Sequence, residues 1–112
     1  MPTVEQLYDE ADRLKDESKF EEAIAKLTEL HGQDEQHALA HLALAVLYGK
    51  VGKHEEAVRH GERACELEPN DSFSFTAMSV TYQRAFQGTQ NQRYVHLAED
   101  AMAKSHTLEG GH

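Results

Sequence analysis

The feature that most narrows what this chain can fold into is a recurrence of 34 residues. Sliding the sequence by that amount lays Lys19-Phe20-Glu21-Glu22-Ala23-Ile24 on Lys53-His54-Glu55-Glu56-Ala57-Val58, with Ala11 on Ala45 and Leu14 on Tyr48. A second slide brings Phe75, Met78, Ser79, Val80 and Tyr82 under His41, Leu44, Ala45, Val46 and Tyr48. A fixed period of this size marks supersecondary units that cannot bury their apolar faces alone, so each must pack on its neighbour in the chain. The expected product is a stack of units sharing one continuous core.

Each unit reads as two helices. Thr3 is placed to cap the first, with Gln6 reaching back as in a capping box, and Val4, Leu7, Ala11 and Leu14 then recur at helical spacing until about Asp16. A second helix over residues 20–31 turns Phe20, Ala23, Ile24, Leu27 and Leu30 inward, and Gly32 is expected to stop it in the left-handed conformation. The next pair is expected over 38–50 and 54–67, joined by a tight turn at Gly52 and ended by Pro69. Asn70 and Asp71 can cap a fifth helix over 72–86, after which the polar run Gln87-Gly88-Thr89-Gln90-Asn91 reads as a lengthened loop. A last helix over 92–107 aligns Tyr94, Leu97, Ala98, Ala101 and Leu108, and Glu109-Gly110-Gly111-His112 is expected to fray. Ala11, Ala45 and Ser79, met by Ala23 and Ala57, let paired helices approach closely. Gly61 breaks the pattern, since glycine inside a helix costs about 1 kcal/mol relative to alanine and leaves a void. His41 is the side chain expected to fill part of it.

The segment His41-x-x-Leu44-Ala45-x-x-Tyr48, followed by Ala57-x-x-x-Gly61, Ala64 and Pro69, falls at the spacings of one tetratricopeptide unit. The chain resembles the tetratricopeptide-repeat family over nearly its whole length, as units of about 4–37, 38–71 and 72–107 within one domain spanning 1–112. The first unit has Glu35 where the closing proline stands, and the third follows the pattern only through its first helix. The resemblance implies an all-α, right-handed α-solenoid of three helix-turn-helix repeats, six helices in all. It also implies a non-catalytic protein-interaction module in which the first helix of each repeat lines a concave groove. Carried over position by position, the groove residues are Glu5, Tyr8, Asp12 and Lys15, then Leu39, Leu42, Val46 and Lys50, then Phe73, Thr76, Val80, Gln83 and Arg84. The middle of that list is apolar, so the expected partner is an apolar or amphipathic peptide or helix of another protein. Family members that clamp an acidic C-terminus use basic and amide side chains at positions held here by Tyr8, Asp12, Ala43, Phe73 and Ala77, none of which can grip a carboxylate. An acidic group of the partner is expected near Lys50 and Arg84 instead.

Charge removes two other classes of partner. A net charge of −9 has the wrong sign for a phosphate backbone or an anionic bilayer, so neither nucleic acid nor membrane is expected. The lone Cys65 excludes an internal disulfide and argues against a thiolate zinc cage, and no apolar leader is expected in the N-terminal stretch; a reducing cytoplasm is the expected setting. The acidic pairs Glu21-Glu22 and Glu55-Glu56 resemble acid/base couples, but both fall in the first turn of a unit's second helix, where negative charge offsets the helix dipole. No phosphate-binding glycine loop or nucleophile constellation accompanies them, and no catalytic residue or cofactor is expected. Eight histidines are many for 112 residues, and His37 and His41 share the four-residue spacing of a metal-binding pair; a histidine-dependent metal protein is therefore a remote rival, with no metal ligands assigned. Protonating all eight would carry the charge from −9 to −1, so a response near pH 6 is expected. The nearer rival is self-assembly, through the groove or through the last helix, where Val95 and Met102 face the place of a fourth repeat and Glu99, Asp100 and Lys104 cap it only in part.

Overall fold

The structure, a computed structural model, describes residues 1–110. Six helices follow in order: α1 (Val4–Asp16), α2 (Phe20–Gln33), α3 (Ala38–Lys50), α4 (His54–Leu67), α5 (Ser72–Thr89) and α6 (Arg93–Gly110). Successive helices pack as pairs, α1 on α2, α3 on α4 and α5 on α6, and the pairs stack through α2 on α3, α4 on α5 and α3 on α5. The result is an all-α helical-repeat solenoid with extents of 43 × 32 × 21 Å.

The helix starts obey the same register as the sequence. Thr3 Oγ1 accepts the Gln6 N–H at 3.1 Å while Thr3 N–H donates to Gln6 Oε1 at 2.8 Å, completing the expected capping box. At the corresponding place before α3, His37 Nδ1 accepts the Ala40 N–H at 3.1 Å. Before α5, Asp71 accepts the Phe73 N–H at 3.1 Å and the Ser74 hydroxyl at 3.0 Å. Three different side chains thus perform one task, satisfying amide donors that the first turn leaves free.

The helix stops repeat as well. After α1, Lys19 N–H reaches back to Leu14 O at 2.9 Å with Ser18 at φ 62° between them; after α3, Lys53 N–H reaches Tyr48 O at 2.8 Å across Gly52 at φ 82°. Both are left-handed closures of the kind that end helices by pairing their last carbonyls. In the third pair that closure comes at Gln90, φ 62°, four residues later than the register requires. Four residues are about one helical turn. The polar run expected to form a loop from Gln87 is therefore one more turn of α5, and only the stretch 90–92 connects it to α6.

Two further expectations at glycines are corrected. Gly32 lies inside α2 without a positive φ, and the chain leaves the helix at Asp34, whose carboxylate accepts the Gln36 N–H at 3.1 Å. Gly61 is covered by Met78, whose Sδ would stand 2.5 Å from a Cβ placed there, with Ala45 Cβ at 3.7 Å; His41 is turned elsewhere. Glu109 and Gly110, expected to fray, belong to α6, while Gly111 and His112 lie outside the described residues.

The buried core gathers in two clusters along the stack rather than in one continuous body. Leu7, Ala11, Leu14, Ala23, Leu27, Leu30, Leu44 and Leu47 join the first pair to α3, and Val58, Met78, Tyr82, Ala85, Tyr94, Ala98 and Ala101 join α4 to the last pair. Ser79 fits this close contact by donating its hydroxyl to Ala98 O at 2.9 Å. The glycines offer a direct check of packing. A Cβ at Gly32 would meet nothing within 4 Å, whereas at Gly88 it would collide with the His54 ring. Gly32→Ala should therefore stabilise by about 0.5–1 kcal/mol through helix propensity. Gly88→Ala should destabilise by about 1 kcal/mol, because crowding outweighs the same gain. Thermal melts of the two variants moving in the same direction would contradict this assignment.

Candidate functional site

The first helices of the three pairs enclose a cleft of about 210 Å³. One wall is α1, contributing Tyr8, Ala11, Asp12 and Lys15; the other is α3, contributing Leu39, Leu42, Ala43, Val46 and Leu47; Phe73 and Ala77 of α5 close one end, and Leu27 of α2 reaches in from below. The stripe on α3 is wide because Leu39, Leu42, Ala43, Val46 and Leu47 follow three- and four-residue spacing, which puts them on one helical face. At the mouth, Leu39 and Phe73 are 52% and 61% exposed, while Leu42 at the floor is only 7% exposed. The polar content is nearly balanced: Lys15 Nζ pairs with Asp12 Oδ1 at 3.4 Å.

Of the residues assigned from sequence, Tyr8, Asp12, Lys15, Leu39, Leu42, Val46 and Phe73 meet in this cleft. The five positions of the carboxylate clamp, Tyr8, Asp12, Ala43, Phe73 and Ala77, all line it, so their register is spatially sound and their lack of cations is a property of the cleft itself. Glu5, Lys50, Thr76, Val80, Gln83 and Arg84 do not line it. Thr76 faces α6, its hydroxyl 2.6 Å from that of the buried Ser105, which also donates to Ser72 O at 3.1 Å. Gln83 instead borders a separate trough of about 490 Å³ between α5 and α6, with Phe86, Val95 and Met102. Ala11, Leu27 and Leu47 were missed as lining residues, although Leu47 continues the Leu39 stripe eight residues on.

The histidines group differently from their spacing. His37 is occupied as the cap of α3, its ring 5.8 Å from that of Tyr8, so it forms no pair with His41. His41 is 3% exposed and its Nε2 lies 2.6 Å from the Glu35 carbonyl oxygen, which can only accept. His41 therefore donates from Nε2 and offers a lone pair at Nδ1, where His60 Nδ1–H donates at 3.0 Å. The His60 ring stacks on Tyr48 at 5.6 Å, and His31 stands edge-on to both histidines at 5.2 and 5.8 Å. Arg63 grips the Glu35 carboxylate through Nε and Nη2, in three hydrogen bonds of 2.9–3.2 Å, which holds that carboxyl below its ordinary range. Among the described residues no set of three or more His, Cys, Asp or Glu side chains is arranged to hold a metal ion. The thiol of Cys65, half-buried and donating toward Ser74 O at 3.6 Å, is pushed up to about 11 by burial and then by Glu62 and Asp71, so it is not poised as a thiolate.

The acidic pairs Glu21-Glu22 and Glu55-Glu56 occupy the first turns of α2 and α4. Their placement at equivalent positive helix ends accounts for their recurrence. Among the described residues no helix is long and apolar enough to cross a membrane.

Comparison with known proteins agrees with this architecture. Residues 38–71, the middle unit, match the tetratricopeptide-repeat family model. Among solved structures, the second TPR of Spaghetti (RPAP3) bound to the HSP90 peptide SRMEEVD is similar with a TM-score of 0.77 and 25% identity, over 95% of this chain and 92% of that one. The crystal structure of MamA is similar with a TM-score of 0.82 and 16% identity, over 97% of this chain and 60% of that one. No curated protein sequence matches the chain. The middle unit thus matches one tetratricopeptide repeat, and the six described helices form three like pairs, as three such repeats would.

Proposed function

We propose that this protein is a non-catalytic interaction module whose cleft between α1, α3 and α5 receives an apolar or amphipathic segment of another protein. The observation that carries the reading is the pairing of two exposed anchors, Leu39 and Phe73, over an already packed floor at Leu42. Large apolar side chains held open above a preformed depression favour a partner that covers them. The similar domain solved with an HSP90 peptide supports reading this chain as one that receives a peptide. That peptide ends in Glu-Glu-Val-Asp, whereas the cleft here has Tyr8, Asp12, Ala43, Phe73 and Ala77 at the positions where a clamp uses basic and amide side chains, which argues for a different class of segment.

The test is the double variant Leu39→Asp/Phe73→Asp, compared with wild type for the proteins each captures and for the affinity of whichever segment wild type binds. Binding should weaken at least tenfold, as expected for loss of central apolar anchors, with the melting temperature unchanged. Undiminished binding would move the site off the cleft. A second reading, self-assembly through the α5–α6 end, is favoured by the trough that Phe86, Val95 and Met102 line. Sedimentation at tens of micromolar separates the two, because a monomer there is incompatible with an obligate oligomer.

A further inference from the structure

Resting on the groove reading, we infer that the segment received by the cleft is apolar at its centre and bears a carboxylate at the end that meets Lys50 and Arg84. The apolar stripes of α3 and α5 run toward these cations. On α3, Leu39, Leu42 and Val46 lead to Lys50; on α5, Phe73, Ala77 and Val80 lead to Arg84; every step is three or four residues. Val46 lines the cleft and Lys50 lies one turn beyond it, about 6 Å along the helix axis.

The two cations are brought to one edge by the packing of the helices. A Cβ at Gly49 would lie 3.8 Å from Arg84 Cδ, so the arginine stem lies against α3 at the residue before Lys50. Lys50 Nζ stands 5.5 Å from the centre of the Phe20 ring. Neither enters an ion pair among the described residues, which is true also of Lys53, Arg93 and Lys104 but not of Arg13, Lys15, Lys19, Lys26, Arg59 and Arg63; of the five, only Lys50 and Arg84 end the apolar stripes. In a chain of net charge −9, two unpaired cations at the end of an apolar cleft form a local field of the opposite sign. Lys50 falls in the last turn of α3, where it also offsets the helix dipole. Arg84 has no such role, since α5 continues to Thr89. At the opposite wall Asp12 already engages Lys15, and its carboxylate would repel an acidic group placed there.

A phage-displayed library of random dodecapeptides tests this on three proteins: wild type, Lys50→Glu/Arg84→Glu, and Phe73→Asp. Wild type should enrich peptides with an apolar centre and an Asp or Glu at a fixed offset, and the charge-reversed protein should replace that acid with Lys or Arg. A synthetic copy of an enriched acidic peptide should bind the charge-reversed protein about tenfold more weakly at 50 mM salt. The difference should shrink severalfold at 500 mM, where such charges are screened. Enrichment of apolar peptides that need Phe73 but show no acidic preference overturns this inference and leaves the groove reading standing. If no enriched peptide depends on Phe73, both fall.

Discussion

Leu42→Asp should lower the unfolding free energy by about 4 kcal/mol, while Leu39→Asp and Phe73→Asp should each change it by less than about 0.5 kcal/mol. All three lie on the same concave face and would be chosen together from the sequence. Their depths differ: Leu42 is 7% exposed, against 52% and 61% for the other two. Removing a buried leucine costs about 2–5 kcal/mol through lost transfer free energy and the cavity left behind. Aspartate adds the cost of a carboxylate in an apolar site, and its short side chain cannot carry the charge out to water. Leu39 and Phe73 lie in the first turns of α3 and α5, where a carboxylate is favoured by the helix dipole. Urea unfolding followed by circular dichroism measures all three. Equal losses would mean that the cleft floor is no more packed than its mouth. A charged substitution at Leu42, the variant that the sequence alone recommends, would therefore confuse loss of binding with loss of fold.

What could be read from sequence follows from which determinants are local. The starts and stops of α1, α3 and α4 depend on caps and turns a few residues long, and those recur with the 34-residue register. Thr3 and Gly52 were accordingly legible. His37 as a cap was not, because imidazole is an uncommon choice for that task. Gly88 was misread for a related reason: a glycine in a polar run usually marks a loop, but here one added turn preserves the helical phase and puts the small residue beneath His54. The faces of the helices were legible through periodicity, whereas burial along a face was not. Leu39 and Leu42 are both apolar and three residues apart, and only the packing of the neighbouring helices decides which becomes floor and which becomes rim. The same limit explains Thr76 and Gln83, assigned to the groove by repeat position and found against or beside α6. His41 and His60 are 19 residues apart on different helices, with nothing in their spacing to announce contact.

Stability should fall by about 2 kcal/mol between pH 7 and pH 4.5, with His60 the principal cause. Its pKa is lowered from the ordinary 6.5 to about 4, first by burial and then by the nearby His41, His31 and Arg59. The unfolded chain therefore binds a proton at His60 between about pH 6.5 and 4 that the folded chain refuses. The group's contribution is fully present above pH 6.5, shrinks as pH drops through this window, and is spent below about pH 4. A gap of this size amounts to about 3 kcal/mol if complete, and partial solvent access reduces it. The groups facing His60 come from every packed element: His31 on α2, His41 and Tyr48 on α3, and Arg59 on its own helix. None is a carboxylate that would welcome the added charge. The Glu35 carboxylate is taken by Arg63, and because its pKa is depressed its own contribution is lost only at lower pH. His60→Asn can keep an N–H near His41 Nδ1 while removing the titration. Denaturant titrations from pH 7 to 4.5 should then show a clearly flatter profile for the variant; an undiminished slope would assign the loss to other groups. The eight histidines therefore do not titrate as one set, because His60 resists protonation through the range in which an ordinary imidazole charges.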